Sequence, residues 1–307
     1  PAAQNPNAMK VVVLGAGVVG TTSAWYLARA GHEVVVVDRQ PAPALETSFA
    51  NGGQVATSHA EPWANLGTLR RIPGWLMQSD APMMFHAQYD RHQWGWALRF
   101  LLECLPSRTS RNTRHTLVLA LYSLRMLQAL RAESAIEYEQ RSGGILHFYT
   151  GAREFERAVG AAGEFKRMGI AVQVKSADEC IALEPAFAGS HERIVGGLYT
   201  PSDESGDARK FTAALAVMAE AQGVKFRFNT SVEFLDMSSD EIASVAARND
   251  DGSDDRIRGD AYLVALGSYS PLLLRPIGIN IPVYPVKGYS ITIELEEGDV
   301  APEVSLN

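Results

Sequence analysis

VVVLGAGVVGTTSAWYLARAGHEVVVVDR, residues 11–39, reads as a strand, a glycine-rich turn, a helix and a second strand that ends on an acid. The short, β-branched run over residues 10–14 is what a parallel strand buried on both faces requires. It stops at Gly15-Ala16-Gly17-Val18-Val19-Gly20. In this arrangement the first glycine permits the tight turn, the second lets backbone approach a pyrophosphate, and the third lets helix and strand pack closely. A pyrophosphate placed there meets the positive end of the helix that follows. Gly31 stops that helix, residues 33–37 return as a strand, and Asp38 stands where a carboxylate accepts hydrogen bonds from ribose hydroxyls. The unit predicts an α/β, Rossmann-like dinucleotide-binding fold. By itself it does not separate NAD from FAD. Asp38 argues against a phosphorylated ribose, and Arg39 beside it keeps NADP open.

Outward from this unit, the 307 residues exceed the usual size of one compact domain, so two are expected. A hydrophobic share of 46% beside 21% charged residues can bury a real core, which sets disorder aside. A formal net charge of -7 argues against a nucleic-acid binder, because neutralising phosphates takes a surplus of Lys and Arg. The two cysteines, Cys104 and Cys180, lack CxxC spacing and read as buried thiols of a reducing compartment. The histidines are scattered, with neither HExxH nor zinc-site spacing, so no metal is expected. No apolar run approaches the roughly 18 to 20 residues that span a bilayer. Residues 1–8 lack the regions of a signal peptide and read as a disordered leader or vector remnant, which points to a cytoplasmic location.

After Asp38 the chain does not enter the next strand of a nicotinamide domain but gives ETSFANGGQ, residues 46–54, a polar loop too poor in apolar residues to be core. Gly52-Gly53 allows close backbone approach and leaves N–H groups suited to anionic oxygens. This loop, with Pro62-Trp63 after it, resembles the D-amino acid oxidase and dehydrogenase group of flavoproteins, most closely the D-amino acid dehydrogenase family, over nearly the whole chain from Met9. The resemblance implies FAD, held by Gly15, Gly17, Val18, Val19, Gly20, Asp38 and Arg39. It further implies that Ser48, Asn51, Gly52, Gly53 and Gln54 lie along its diphosphate and ring system. Backbone near Val232 is expected to meet the adenine, and YLVALGSYSPLLL, residues 262–274, to bring Ala265 and Gly267 back to the cofactor.

The expected organisation is a discontinuous FAD-binding domain, residues 9–89 and 200–285, with an α+β substrate domain, residues 90–199 and 286–307. Within the latter, apolar residues repeat at helical spacing over residues 111–140, and GGILHFYT reads as a strand. A helix is expected over residues 153–168, short strands over 172–175 and 194–199, and a further strand over 289–294. In SDESGDARKFT, residues 202–212, Asp207 reads as the cap of an alanine-rich helix. The segment QWGWALRFLLECLP, residues 93–106, is amphipathic, aromatic and locally basic. The reading taken is a helix packed against the substrate domain; one lying on the inner face of the cell membrane stays open.

The reaction implied by the resemblance is oxidation of a D-amino acid to a 2-oxo acid and ammonia, with electrons passing to a quinone or other carrier. The flavin carries the hard step, so no Ser/His/Asp constellation is needed, and no convincing acid–base pair stands out. His59 and Glu61 depart from the family's usual loop, where a tyrosine and a small residue are common; His59, Lys287 and Tyr289 are the substrate-side candidates. The arginine that anchors the substrate carboxylate is expected beyond Asn307, in a C-terminal segment outside this chain. Two alternatives remain: an amine oxidase of the glycine or sarcosine kind that uses oxygen, and a non-catalytic FAD-binding subunit.

Overall fold

The computed structural model describes residues 6–75, 77 and 85–307; the leader expected over residues 1–8 falls largely outside them. The chain runs through β1 (Lys10–Leu14), α1 (Val18–Arg29), β2 (Glu33–Val37), β3 (Gln54–Val55), α2 (Leu66–Trp75), α3 (Arg91–Glu103) and α4 (Pro106–Ser134). It continues with β4 (Ile145–Tyr149), α5 (Ala152–Arg167), β5 (Gln173–Ser176), α6 (Ala177–Leu183), β6 (Gly196–Thr200), β7 (Glu204–Ser205) and α7 (Ala208–Ala221). The rest is β8 (Lys225–Arg227), β9 (Thr230–Ser238), β10 (Glu241–Asn249), β11 (Asp254–Ile257), β12 (Ala261–Val264), α8 (Ser270–Leu274) and β13 (Ser305–Leu306).

Two compact units result. The first comprises Pro1–Gly52, Ile136–Glu139 and Asp207–Ser290, the second Gly53–Ala135, Gln140–Gly206 and Ile291–Asn307. Of the residues expected in the cofactor domain, the described ones among 53–89 (53–75, 77 and 85–89) and residues 200–206 group with the second unit, in which β3 pairs antiparallel with β7. Residues 136–139 join the first unit instead: Tyr138 packs edge-on against Phe211 at 5.2 Å, and its carbonyl accepts the Asp207 N–H at 2.9 Å.

In the first unit a parallel sheet of order β12-β1-β2-β8 forms from valine-rich strands. Both faces are apolar, which is why β-branched residues run without alternation. Val12, Leu14, Val35 and Val37 pack against Leu235, Val245, Ala247 and Ile257 of the antiparallel β9–β11 sheet and against Leu273 of α8. Val11, Val13, Val34 and Val36 are buried on the other face, the side of α1, which packs on α7. Each such side chain contributes roughly 1.5–3 kcal/mol of burial, so this sheet is the rigid floor under the glycine turn. Asp207 caps α7 as expected, accepting the Lys210 N–H at 2.9 Å.

In the second unit the sheet order is β13-β4-β6-β5. Leu146 opposes Tyr199 while His147 opposes Leu198, so alternation puts Leu146 and Leu198 on opposite faces. Leu146 packs with Cys180, Ile194 and Val304, and Leu198 with Leu117, Ala162, Ile170 and Val172. Both cysteines are buried free thiols. The helix expected over residues 111–140 spans Pro106–Ser134, opened by a proline at its first turn and ended by Ala135 in the left-handed region.

One expectation needs correction. The strand expected over residues 289–294 is absent: Tyr289, Ile291 and Ile293 are 86%, 88% and 77% exposed. The place beside β4 is taken by β13, with Ser305 opposite Ile145. Residues 93–106 are packed in part, against α4, with Cys104 fully buried. α3 buries only Gln93, and Trp94, Leu98, Leu101 and Leu102 are exposed.

Candidate functional site

The glycine turn between β1 and α1 is built by contacts that only hydrogen side chains allow. Gly15 has φ +107°, and a Cβ there would stand 2.6 Å from the Ala265 carbonyl oxygen. A Cβ on Gly20 would stand 1.9 Å from the Gly15 carbonyl oxygen, so the helix can begin this close to the strand only with glycine. Gly17 is the N-cap of α1 and supplies no side chain to its first turn. The first-turn N–H groups have no intrahelical acceptors to reach. One is satisfied from outside: the Ser48 hydroxyl accepts the Val18 N–H at 3.0 Å. Its own proton is thereby directed away from the helix as a donor.

Asp38 ties the end of β2 to this turn. One of its carboxylate oxygens accepts the Ala16 N–H at 2.6 Å and the other the Gln40 N–H at 2.8 Å. Each oxygen retains a lone pair, so the ribose role read from the sequence remains open to it. Arg39 is already engaged: its guanidinium pairs with Glu46 at 2.5 Å and lies 4.3 Å from the Tyr269 ring centroid. Tyr269, and after it Glu46, raises the Arg39 pKa. The arginine that kept NADP open in the sequence is thus held by a carboxylate of its own chain, not offered to a phosphate.

The remaining expected residues distribute as follows. Ala265 donates its N–H to the Leu14 carbonyl at 2.8 Å, and Gly267 has φ +54° with open space around its Cα, so the β12 turn does reach the glycine turn. Val232 lies in β9 opposite Ala247 and packs against the first unit's core. Asn51 folds back on its own loop, donating to the Thr47 and Ser48 carbonyls, and Gly52 is exposed. Gly53 and Gln54 belong to the second unit, where a Cβ on Gly53 would stand 2.3 Å from the Gly206 carbonyl oxygen. There the Gln54 amide donates to the Ser305 hydroxyl at 3.0 Å. Val19 is exposed at the start of α1. Lys287 lies over the Tyr289 ring at 5.1 Å, and both are exposed.

His59 enters a cluster that the sequence did not announce. Its ring lies 4.4 Å from that of His147, and the amide nitrogen of Asn307 contacts both rings. Below them the fully buried Asp203 binds the N–H and hydroxyl groups of Thr57 and Ser58. Burial pushes His147 down to about 4, helped by the neighbouring His59 and opposed by Asp203. Burial likewise lowers His59. Asp203 stands in the quoted stretch SDESGD, but nothing in its neighbours reveals that it faces inward, and His147 sits in GGILHFYT, read from the sequence only as a strand. Among the described residues, no group of three or more His, Cys, Asp and Glu is placed to hold a metal ion.

A dinucleotide fits the first unit's cradle on three counts: backbone N–H groups face outward at the start of α1, no Cβ fills the space over Gly17, and an acid stands at the end of β2. Comparison with known proteins agrees. Residues 10–306 match the family described as DAO, FAD dependent oxidoreductase. The chain is 54% identical over 298 residues to a D-amino acid dehydrogenase of Dechloromonas aromatica (strain RCB), covering 97% of this chain and 71% of that protein. It is 50% identical over 299 residues to a D-amino acid dehydrogenase of Paramagnetospirillum magneticum (strain ATCC 700264 / AMB-1), covering 97% of this chain and 70% of that protein. Among solved structures it resembles glycine oxidase from Geobacillus kaustophilus, with a TM-score of 0.62 at 20% identity over 91% of this chain and 60% of that one. It also resembles L-amino acid deaminase from Proteus vulgaris, with a TM-score of 0.61 at 16% identity over 92% of this chain and 52% of that one. The chain thus spans about 70% of the curated relatives' length and less than two thirds of these structures, whose likeness speaks for the fold. By its glycine turn, its acid and its match from residue 10 to residue 306, the chain belongs to the DAO family of FAD-dependent oxidoreductases.

Proposed function

We propose that the chain is the cofactor-binding and substrate-facing part of an FAD-dependent D-amino acid dehydrogenase, which converts a D-amino acid to a 2-oxo acid and ammonia. The observation that carries this reading is the Asp38–Ala16 and Ser48–Val18 pair of hydrogen bonds around a side-chain-free turn, in a chain 54% identical to a D-amino acid dehydrogenase. FAD, when bound, supplies the acceptor for the hydride of the substrate α-carbon. The chain's own residues do the holding. The first-turn N–H groups after Gly17, with the Ser48 hydroxyl, bind the diphosphate, and Asp38 receives the ribose hydroxyls through its free lone pairs. Asn51, Gly52, Gly53 and Gln54 follow along the cofactor, Ala265 and Gly267 close the turn from the β12 side, and Val232 backbone faces the adenine. Arg39, fixed by Glu46, borders the ribose. His59 is the substrate-side residue of the second unit, with Lys287 and Tyr289 as further candidates.

Anaerobic titration tests this. Purified protein carries visible flavin bands, and a D-amino acid, but not its L-enantiomer, bleaches them; a colourless protein from riboflavin-replete cells refutes it. Reoxidation by a quinone analogue without hydrogen peroxide in air separates the dehydrogenase from an oxygen-using amine oxidase.

The electron acceptor proposed is a quinone reached at an anionic membrane surface through α3. Its exposed Trp94, Leu98, Leu101 and Leu102 recur at helical spacing, with exposed Arg91 and Arg99 on the same helix. No helix among the described residues is long and apolar enough to cross a membrane. Cosedimentation with anionic but not neutral vesicles, lost in Trp94→Ser/Leu98→Ser, is the expected result.

A further inference from the structure

Within the first unit, Ala16 is held by three partners. Its carbonyl accepts two hydrogen bonds, from the Ala44 N–H at 3.1 Å and from the Thr21 hydroxyl at 3.2 Å, and its N–H goes to Asp38 at 2.6 Å. Ala16 and Thr21 are wholly buried and Ala44 nearly so, so the carbonyl faces the interior. Two of these contacts are unusual. A threonine hydroxyl in a helix ordinarily turns back to the carbonyl three or four residues earlier, whereas that of Thr21 reaches past Gly17 to Ala16. Ala44 has φ +61°, a left-handed conformation that its Cβ disfavours. The strain sits where it delivers an N–H to the same carbonyl.

In a planar trans peptide the carbonyl and the N–H that follows it point in opposite directions, and no cis peptide occurs among the described residues. The Ala16 carbonyl is turned in towards the body of α1, so the Gly17 N–H is turned out, into the space before the first turn. Among the described residues no acceptor meets it. The next N–H, of Val18, is already taken by the Ser48 hydroxyl. Were this one peptide turned over, a carbonyl oxygen would stand in that space and repel the anionic oxygens of a diphosphate. Its setting therefore decides whether the glycine turn offers a donor or an acceptor there.

We propose that Thr21 is a positioning residue for the cofactor diphosphate: together with the Ala44 N–H it holds the Ala16 carbonyl inward and so aims the Gly17 N–H at a diphosphate oxygen. The proposal rests on the FAD reading above and adds to it a residue too buried to touch the cofactor itself. Without the Thr21 hydroxyl the carbonyl keeps only the Ala44 N–H, so the peptide's preference is weakened and not reversed. One net hydrogen bond of this kind corresponds to about a three- to tenfold change in affinity.

The test titrates FAD and riboflavin, followed by flavin fluorescence, into the full chain freed of flavin, as wild type, Thr21→Val and Thr21→Ser. Valine keeps the volume and loses the hydroxyl; serine keeps the hydroxyl. Thr21→Val is expected to weaken FAD about three- to tenfold and riboflavin, which has no diphosphate, less than about twofold, while Thr21→Ser restores FAD to within about twofold of wild type. Thermal melting checks that each variant is folded. Unchanged FAD affinity in folded Thr21→Val overturns the proposal, and so does an equal loss for FAD and riboflavin, the mark of a general loosening. A second readout needs neither flavin nor a variant: in nitrogen-15 amide spectra, ADP is expected to move the Gly17 signal of wild type, and to move it less in Thr21→Val. If no flavin binds while ADP moves Gly17 in this way, the flavin reading has failed and the positioning role stands. If FAD binds and the Gly17 signal responds to neither nucleotide, the positioning role has failed and the flavin reading stands.

Discussion

Asp38 accepts the Ala16 N–H at 2.6 Å, so the acid at the end of β2 holds the glycine turn at the end of β1. The residue read from the sequence as a ribose ligand is also a structural clasp. Asp38→Ala removes both at once: a charge-assisted hydrogen bond of about 1.5–3 kcal/mol and the ribose acceptor. Asp38→Asn retains one carbonyl acceptor. Flavin-fluorescence titration is expected to rank affinity as wild type, then Asp38→Asn, then Asp38→Ala; equal affinity in all three would place the ribose elsewhere.

The glycines of the turn separate into two kinds. Gly20→Ala drives a methyl to 1.9 Å from the Gly15 carbonyl oxygen, which forces α1 away from β1. It is expected to cost several kcal/mol, in the range of about 3 or more known for severe core strain, and to lower Tm and flavin content together. At Gly17 the added methyl stands 3.3 Å from the Ser48 hydroxyl, a contact that a small shift relieves. Gly17→Ala is expected to leave Tm within a few degrees of wild type while lowering flavin affinity, because the methyl fills the approach to the diphosphate.

What the sequence revealed and what it hid follow from the range of the interactions concerned. The turn, α1 and the valine strands are local patterns, each residue's role being decided within a few positions, and so the Rossmann-like unit was legible from residues 11–39. The partner of β4 was not. Residues 289–294 alternate as a strand should, yet the edge is occupied by Ser305–Leu306, and alternation says nothing about which of two segments wins an edge. Asp203 was equally hidden. Its four donors come from Thr57 and Ser58, far away in sequence, and an acid in a polar loop looks the same whether it faces water or a buried turn.

That clasp makes a stability prediction of its own. Asp203→Asn keeps the volume but offers one acceptor to four donors, leaving N–H and hydroxyl groups of Thr57 and Ser58 without partners in a buried site. A loss of roughly 2 to 4 kcal/mol is expected, read as a lower urea midpoint at unchanged m value. A change below about half a kcal/mol would mean the turn is solvated.

Glu204, next in the chain, is buried, and its partner Arg131 is half-buried. Arg131 binds it through two guanidinium nitrogens at 2.7 and 3.1 Å, and Gln128 donates at 2.7 Å. Arg131 first, and then Gln128, lower its pKa against the cost of burial. Arg131→Met strands a charge on a side chain only 6% exposed, and about 3–5 kcal/mol of stability is expected to go. Adding Glu204→Gln to Arg131→Met should recover much of that loss, and a double variant no more stable than the single one would refute the pairing.

The histidine pair makes stability depend on pH with a definite sign. In the unfolded chain His147 titrates near its ordinary 6.5, whereas burial and His59 hold it down to about 4 in the fold. Between these values the unfolded state binds a proton that the folded state refuses, so acid draws the chain towards unfolding. The contribution is complete above pH 6.5 and is lost as pH falls towards 4; His59, also lowered by burial, acts in the same direction, and Asp203 opposes both. At 1.36 kcal/mol per pKa unit the His147 part is at most about 3 kcal/mol. Urea unfolding at about pH 7 and about pH 5 is expected to show about 2 kcal/mol of this loss in wild type and a clearly smaller one in His147→Gln, which cannot take up the proton. Parallel pH profiles for the two proteins would show that His147 titrates normally in the fold and refute the prediction.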